Sequence, residues 1–198
     1  MRVIRQMQRF INRLPVLLLI LTVTQPALAA SSATTQLLVN FPGMSSVHID
    51  VRVTDGLADA ATGAGIKSAN YQSDMAKIEV PIGIYDLRLR RGSAEFVVDG
   101  VDCSGAGGCV VDGITRTLTV NFPGMASVHT DVRVSDGMAG SYGSSVTYAN
   151  YQTDQAVFTV FPQIYDLRLR KGSAEFVVDE VDCSGAGDCV SSTESRVH

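Results

Sequence analysis

Tryptophan is absent from this 198-residue chain, histidine occurs three times, cysteine four times, and Asp, Glu, Lys and Arg together make up only 18% of it. Each scarcity excludes something. His48 and His129 are each the single histidine of their repeat, so histidine-rich metal centres and histidine-based catalytic clusters have little to draw on. No Gly-x-Ser-x-Gly, His-Glu-x-x-His or phosphate-loop pattern is present, and the expectation is a protein that is not an enzyme and carries no cofactor. Beyond residue 30 no apolar run approaches the roughly 20 residues of a membrane-spanning helix, so no transmembrane segment is expected in the mature chain.

The first 30 residues read as an export leader. Arg2, Arg5, Arg9 and Arg13 form a basic start, Leu14 to Val23 a short apolar core, and Ala27-Leu28-Ala29 a small-x-small cleavage site. The leader carries four of the 16 basic residues and none of the 20 acidic ones, so its removal leaves 12 against 20, near −8. Nucleic acid is thereby an improbable partner, because phosphate binding depends on basic residues releasing counterions. An exported location is expected: extracellular, cell surface or periplasm.

The chain repeats itself. "LVNFPGMSSVHIDVRVTDG" at 38–56 returns as "TVNFPGMASVHTDVRVSDG" at 119–137, and "YDLRLRRGSAEFVVDGVDCSGAGGC" at 85–109 returns as "YDLRLRKGSAEFVVDEVDCSGAGDC" at 165–189. The offset drops from 81 to 80, so one residue is lost between the blocks, where 57–68 and 138–148 diverge as surface loops do. The apolar period within each unit is two. Val47, Ile49, Val51 and Val53 alternate with His48, Asp50 and Arg52, and Tyr85, Leu87 and Leu89 alternate with Asp86, Arg88 and Arg90, which are expected to face solvent. Phe-Pro-Gly, Asp-Gly and Arg-Gly turns separate the runs. The expected fold is all-β: two tandem antiparallel β-sandwich repeats of about 80 residues, with a leader at 1–30, repeats at 35–113 and 114–191, and a tail at 192–198.

The cysteines bracket the same loop twice. Strand-like flanks around "SGAGG" suggest a β-hairpin with Cys103 facing Cys109, and Cys183 facing Cys189 in the second copy. Two cross-repeat pairings remain open to four cysteines. Five intervening residues exceed the usual zinc spacing, and the Cys-x-x-Cys redox spacing is missing.

The candidate ligand faces are His48, Asp50 and Arg52, with His129, Asp131 and Arg133 in the second copy. On a strand these alternate residues project to one side, about 6.6 Å apart. A histidine and an aspartate so placed suit a shared ligand, and they equally suit cross-strand pairing with Asp86 and Arg88. Two ligands alone would not hold a metal firmly, and no metal is expected. The Asp-Gly turns lack the ligand alternation of an EF-hand calcium loop. Tyr142 and Tyr148, in the divergent stretch of the second repeat, are candidate sugar-stacking contacts.

"VRVTDG", the divergent loop, "YQSDMAKIEVPIGIYDLRLRRG" and "YQTDQAVFTVFPQIYDLRLRKG" resemble transthyretin-like sandwich repeats of bacterial surface proteins, the carboxypeptidase-regulatory-like and CnaB-like modules. The resemblance covers about 50 residues of each unit and implies Ig-like or transthyretin-like sandwiches acting as spacers, stalks or adhesive units. The cysteine loops lie outside that pattern. Lys67, Lys77 and Lys171 are not at equivalent places in the copies, so no isopeptide bond is carried over. The expected function is structural or adhesive, with another protein, a surface glycan or a second copy as partner. The alternative is a soluble carbohydrate- or ion-binding module.

Overall fold

A computed structural model describes residues 33–193; the leader, and the tail beyond residue 193, lie outside the described residues. Among the described residues each repeat contributes seven strands. In the first these are β1 (Thr34–Phe41), β2 (Val47–Val53), β3 (Gly65–Gln72), β4 (Asp74–Pro81), β5 (Ile84–Arg91), β6 (Ala94–Asp102) and β7 (Cys109–Val111). In the second they are β8 (Arg116–Phe122), β9 (Val128–Val134), β10 (Ser145–Gln152), β11 (Asp154–Val160), β12 (Ile164–Lys171), β13 (Ala174–Asp182) and β14 (Cys189–Ser192). Each set forms a three-stranded sheet (β4-β1-β7 or β11-β8-β14) and a four-stranded one (β3-β2-β5-β6 or β10-β9-β12-β13), giving two sandwich-like domains.

Alternation explains where the core sits. Leu37, Val39 and Phe41 of β1 are wholly buried together with Val47, Ile49 and Val51 of β2 and Leu87 and Leu89 of β5. Leu118, Val120, Phe122, Leu167 and Leu169 repeat the arrangement. Such side chains contribute about 1.5–3 kcal/mol each when fully buried. Tyr165 is also fully buried, and its hydroxyl donates to the Phe161 carbonyl at 2.9 Å, four residues back; Tyr85 does the same to Pro81. Burial raises the Tyr165 phenol well above the ordinary tyrosine range, against smaller downward effects of Gln163, the Phe161 contact and the Arg91 charge.

Two expectations need correction. The cysteine loop does not close a hairpin. Cys103 continues β6 alongside Gly83, and the chain then crosses to the other sheet, where β7 runs parallel to β1 with Cys109 opposite Leu37. The Cys103–Cys109 disulfide (Cα–Cα 5.1 Å) therefore ties the two sheets of one sandwich, and Cys183–Cys189 (5.2 Å) does so in the other, where β14 runs parallel to β8. Local sequence cannot separate these cases, because either flank of the loop satisfies strand patterning whichever sheet it joins.

Asp86, expected to face solvent, is buried at 0% exposure, and its counterpart Asp166 at 1%. Each carboxylate works as a staple for backbone. Asp86 accepts the amides of Asp55 (3.0 Å) and Gly100 (2.9 Å), and Asp166 those of Asp136 and Glu180 (both 3.0 Å). The second amide belongs to a β-bulge opposite β5 or β12, where Gly100 (φ 64°) and Glu180 (φ 56°) adopt left-handed backbone. Carboxylates accepting two amides can be buried without leaving donors unpaired.

The repeats meet through side chains. Phe161, at the place of Pro81, is fully buried in the first repeat's core, its ring stacked on Phe96 at 5.9 Å. Arg91 Nη1 donates to the Thr159 carbonyl at 2.7 Å and Ser93 Oγ to that of Ser145 at 2.8 Å. Burial lowers the Arg91 pKa from the ordinary arginine value, with the Tyr165 phenol acting in the opposite direction. Val146 packs against both cores, and Ile114 of the connecting segment is buried in the first.

Candidate functional site

In the first repeat β2 lies beside β5 with His48 opposite Arg90, Asp50 opposite Arg88 and Arg52 opposite Asp86. The side chains pair diagonally. Asp50 accepts from His48 Nε2 at 2.8 Å and from Arg90 Nη2 at 2.9 Å, so both carboxylate oxygens are engaged. Arg88 turns to Glu95 across the β5–β6 pair, and Arg52 donates to the Gly63 carbonyl at 3.1 Å. The expected pairing of this face with Asp86 and Arg88 therefore gives way to Arg90, because Asp86 is held by backbone and Arg88 by Glu95.

The second repeat uses the same letters differently. Ser145 stands where the first repeat has Gly65, each in register with the arginine of its face. Its hydroxyl donates to Asp131 at 2.6 Å, and Arg133 Nη1 takes the other oxygen at 2.6 Å. His129, without the aspartate, bonds Asn150 and stacks on Tyr148 with ring centres 5.7 Å apart. Tyr148 lies on β10, not in the loop, since only the first part of the divergent stretch is irregular. Tyr142 is in that loop. Its ring lies under Arg133 (4.5 Å) and Arg168 (5.2 Å), and its hydroxyl donates to Glu175 at 3.2 Å. The Arg168 hydrogen bond, helped less by Tyr142, holds the Glu175 carboxyl below its ordinary value. These contacts account for the candidate residues as scaffold: hydrogen bonds and cation–π stacking inside one sandwich.

Sequence reasoning passed over one feature. Ser127, His129, Asn150, Tyr151, Arg170 and Gly172 line an open groove of about 430 Å³ on the second repeat. Tyr151 is 80% exposed and holds a φ of 55°, a backbone region that bulky residues rarely occupy. Its counterpart Tyr71 is similar, at 79% and φ 54°. The repeated "ANYQ", an aromatic among polar letters before a turn, was the available signal; the strained backbone was not readable.

Among the described residues no three His, Cys, Asp or Glu side chains gather as a metal site would need. Among them, too, no helix is long and apolar enough to cross a membrane.

No known protein-family model matches the chain, and comparison with curated proteins gives no match. Among solved structures the chain is similar to the Bacillus anthracis TIE protein (9% identity, TM-score 0.28, 81% of this chain and 33% of that one). It is also similar to a streptococcal ancillary pilin (10%, 0.26, 81% and 63%) and to the shaft pilin SpaA of Lactobacillus rhamnosus GG (11%, 0.25, 80% and 97%). The chain thus spans about a third of the length of the Bacillus anthracis protein. At such TM-scores these likenesses carry no argument for a family or a function.

Proposed function

We propose that this is a secreted, non-enzymatic tandem β-sandwich protein with a structural or adhesive role at the cell surface or in the extracellular matrix. The observation that carries the reading is the joint between repeats. Phe161 completes the core of the neighbouring repeat, so the two modules share apolar interior and are built to stay together rather than to open around a substrate. The export leader, the two disulfides and the scaffold use of the His/Asp/Arg faces support it. The transthyretin-like resemblance and repeat limits at 35–113 and 114–191 belong to the same proposal.

Tagged protein followed by cell fractionation tests it. Export, retention on cells or matrix through washing, and no saturable small ligand are expected. Release into the medium together with saturable binding of a sugar or ion would overturn it.

The second reading is a soluble carbohydrate-binding module, and the groove around His129, Asn150, Tyr151 and Arg170 favours it. It predicts that His129→Ala with Tyr151→Ala abolishes retention on a glycan array while leaving the melting curve intact. Unchanged retention would remove this groove from consideration.

A further inference from the structure

The joint between the repeats is made once, but both of its halves occur twice. Its receiving half on the first repeat is Gly43, Met44, Gly92, Ala94 and Phe96. A side chain on Gly43 would meet Thr159, one on Gly92 would meet the backbone of Ser145 and Val146, and Met44 and Ala94 are each 1% exposed. On the second repeat the corresponding Gly124, Gly172, Ala174 and Phe176 stand uncovered, and Met125 is half-buried against its own core where Met44 is wholly buried. Nothing lies within 4 Å of a side chain built on Gly124 or Gly172, Ala174 is exposed, and Phe176 is 49% exposed.

The inserting half shows the converse. Val134 and Val146 of the second repeat pack against the first repeat's core. Their counterparts Val53 and Ile66 on the first repeat are 42% and 40% exposed, and Ile82 nearby is 40% exposed.

We propose that a second copy of this chain docks the open half of its first repeat on the open half of this chain's second repeat, repeating the internal joint head to tail. The surface around Phe176 matches, nearly letter for letter, one that already holds a sandwich of this chain, "RKGSAEF" against "RRGSAEF". Charge agrees with that occupant. Where Arg91 donates to the Thr159 carbonyl in the internal joint, the open halves present Lys171 and Glu79, both exposed and opposite in sign. The Glu79 carbonyl is held by Lys67 and one carboxylate oxygen accepts from Thr34, so Lys171 would meet the carboxylate rather than the carbonyl. Pro81 replaces the buried Phe161, so the joint between copies is weaker than the internal one and reversible. A contact made by two different surfaces does not satisfy itself in a dimer, and it extends into strings or closes into rings. The inference deepens the structural reading above and rests on it.

Sedimentation velocity on the purified, oxidised chain without its leader tests it across a concentration series. The sedimentation coefficient is expected to climb with concentration and the association to weaken at least roughly tenfold in Phe176→Asp, a surface change that leaves the fold intact. Lys171→Glu and Glu79→Lys each weaken it, and the two together restore it. A monomer at every concentration overturns the inference, as does association indifferent to Phe176→Asp, which would point to strand edges. Loss of association on adding a glycan that occupies the neighbouring groove, with Phe176→Asp still associating, also overturns it. Retention on cells is scored separately on the same variants: a monomer that is still retained sinks this inference alone, and an associating chain that is not retained sinks the surface role alone.

Discussion

His48 and His129 occupy the same place in two nearly identical strands and have different partners. In the first repeat the imidazole bonds Asp50; in the second, Ser145 bonds Asp131 and the imidazole turns to Asn150 and Tyr148. The Ser145 hydroxyl takes one oxygen of Asp131 and Arg133 the other, whereas Asp50 holds Arg90 of the adjoining strand and keeps its second oxygen for His48. A repeated motif therefore does not imply a repeated site. The surroundings of the motif, down to a glycine or a serine, set its chemistry.

The largest test of the difference between repeats sets the filled joint against the open one. Phe161→Ala is expected to cost about 3–5 kcal/mol, since it empties a fully buried aromatic position. Phe176→Ala should cost less than about 0.5 kcal/mol. Urea titrations of both variants check this, and equal losses would mean that the joint contributes nothing.

The buried aspartates should behave alike where the histidines do not. Asp86→Ala and Asp166→Ala each strand two backbone amides, at about 1–3 kcal/mol per unpaired group. Thermal melts of the pair would break the comparison if only one variant suffered.

Tyr165 sets a limit on the alkaline side. Its folded pKa is raised by burial above the ordinary value of 10.0, so the folded state binds the proton more tightly than the unfolded state. The stability this provides is complete below pH 10 and is lost as pH rises through the folded pKa. Tyr165→Phe should lose about 1 kcal/mol at neutral pH for the missing hydrogen bond, yet flatten the alkaline fall expected in denaturant midpoints as pH rises past the ordinary tyrosine value. A variant whose alkaline fall matched the parent's would assign that fall to other groups.

The smallest effect is the most direct. A side chain at Gly65 meets nothing within 4 Å, so Gly65→Ser is expected to change stability by less than about 0.5 kcal/mol while its hydroxyl takes Asp50 and frees His48. Ring nitrogen shifts of His48 moving toward those of His129 would show the exchange.

Much of this architecture was legible. The period-two alternation placed Ile49, Val51 and Leu87 in the core, and the repeat announced two modules. What stayed hidden depended on partners distant in sequence. Asp86 looks like any polar residue on a wet strand face until the amides of Asp55 and Gly100 arrive at it. The exchange of Pro81 for Phe161 looks like drift at a turn until Phe96 is found beside it. The one-letter change from Gly108 to Asp188 in the cysteine loop is similar. At Gly108 a side chain would run into the Gln36 carbonyl, whereas Asp188 accepts the Thr117 amide from the equivalent position.

The parallel pairing of the first and last strands of each repeat has a mechanical consequence. β1 begins the first sandwich and β7 ends it, running side by side in the same direction, as β8 and β14 do in the second. Tension applied between the two ends of a repeat pulls these neighbours past each other lengthwise. Their hydrogen bonds are then loaded together, in shear, instead of parting one at a time as in a peeled hairpin. The disulfide beside β7 or β14 keeps the crossover from paying out length. Each module is thus wired to resist stretching along its chain.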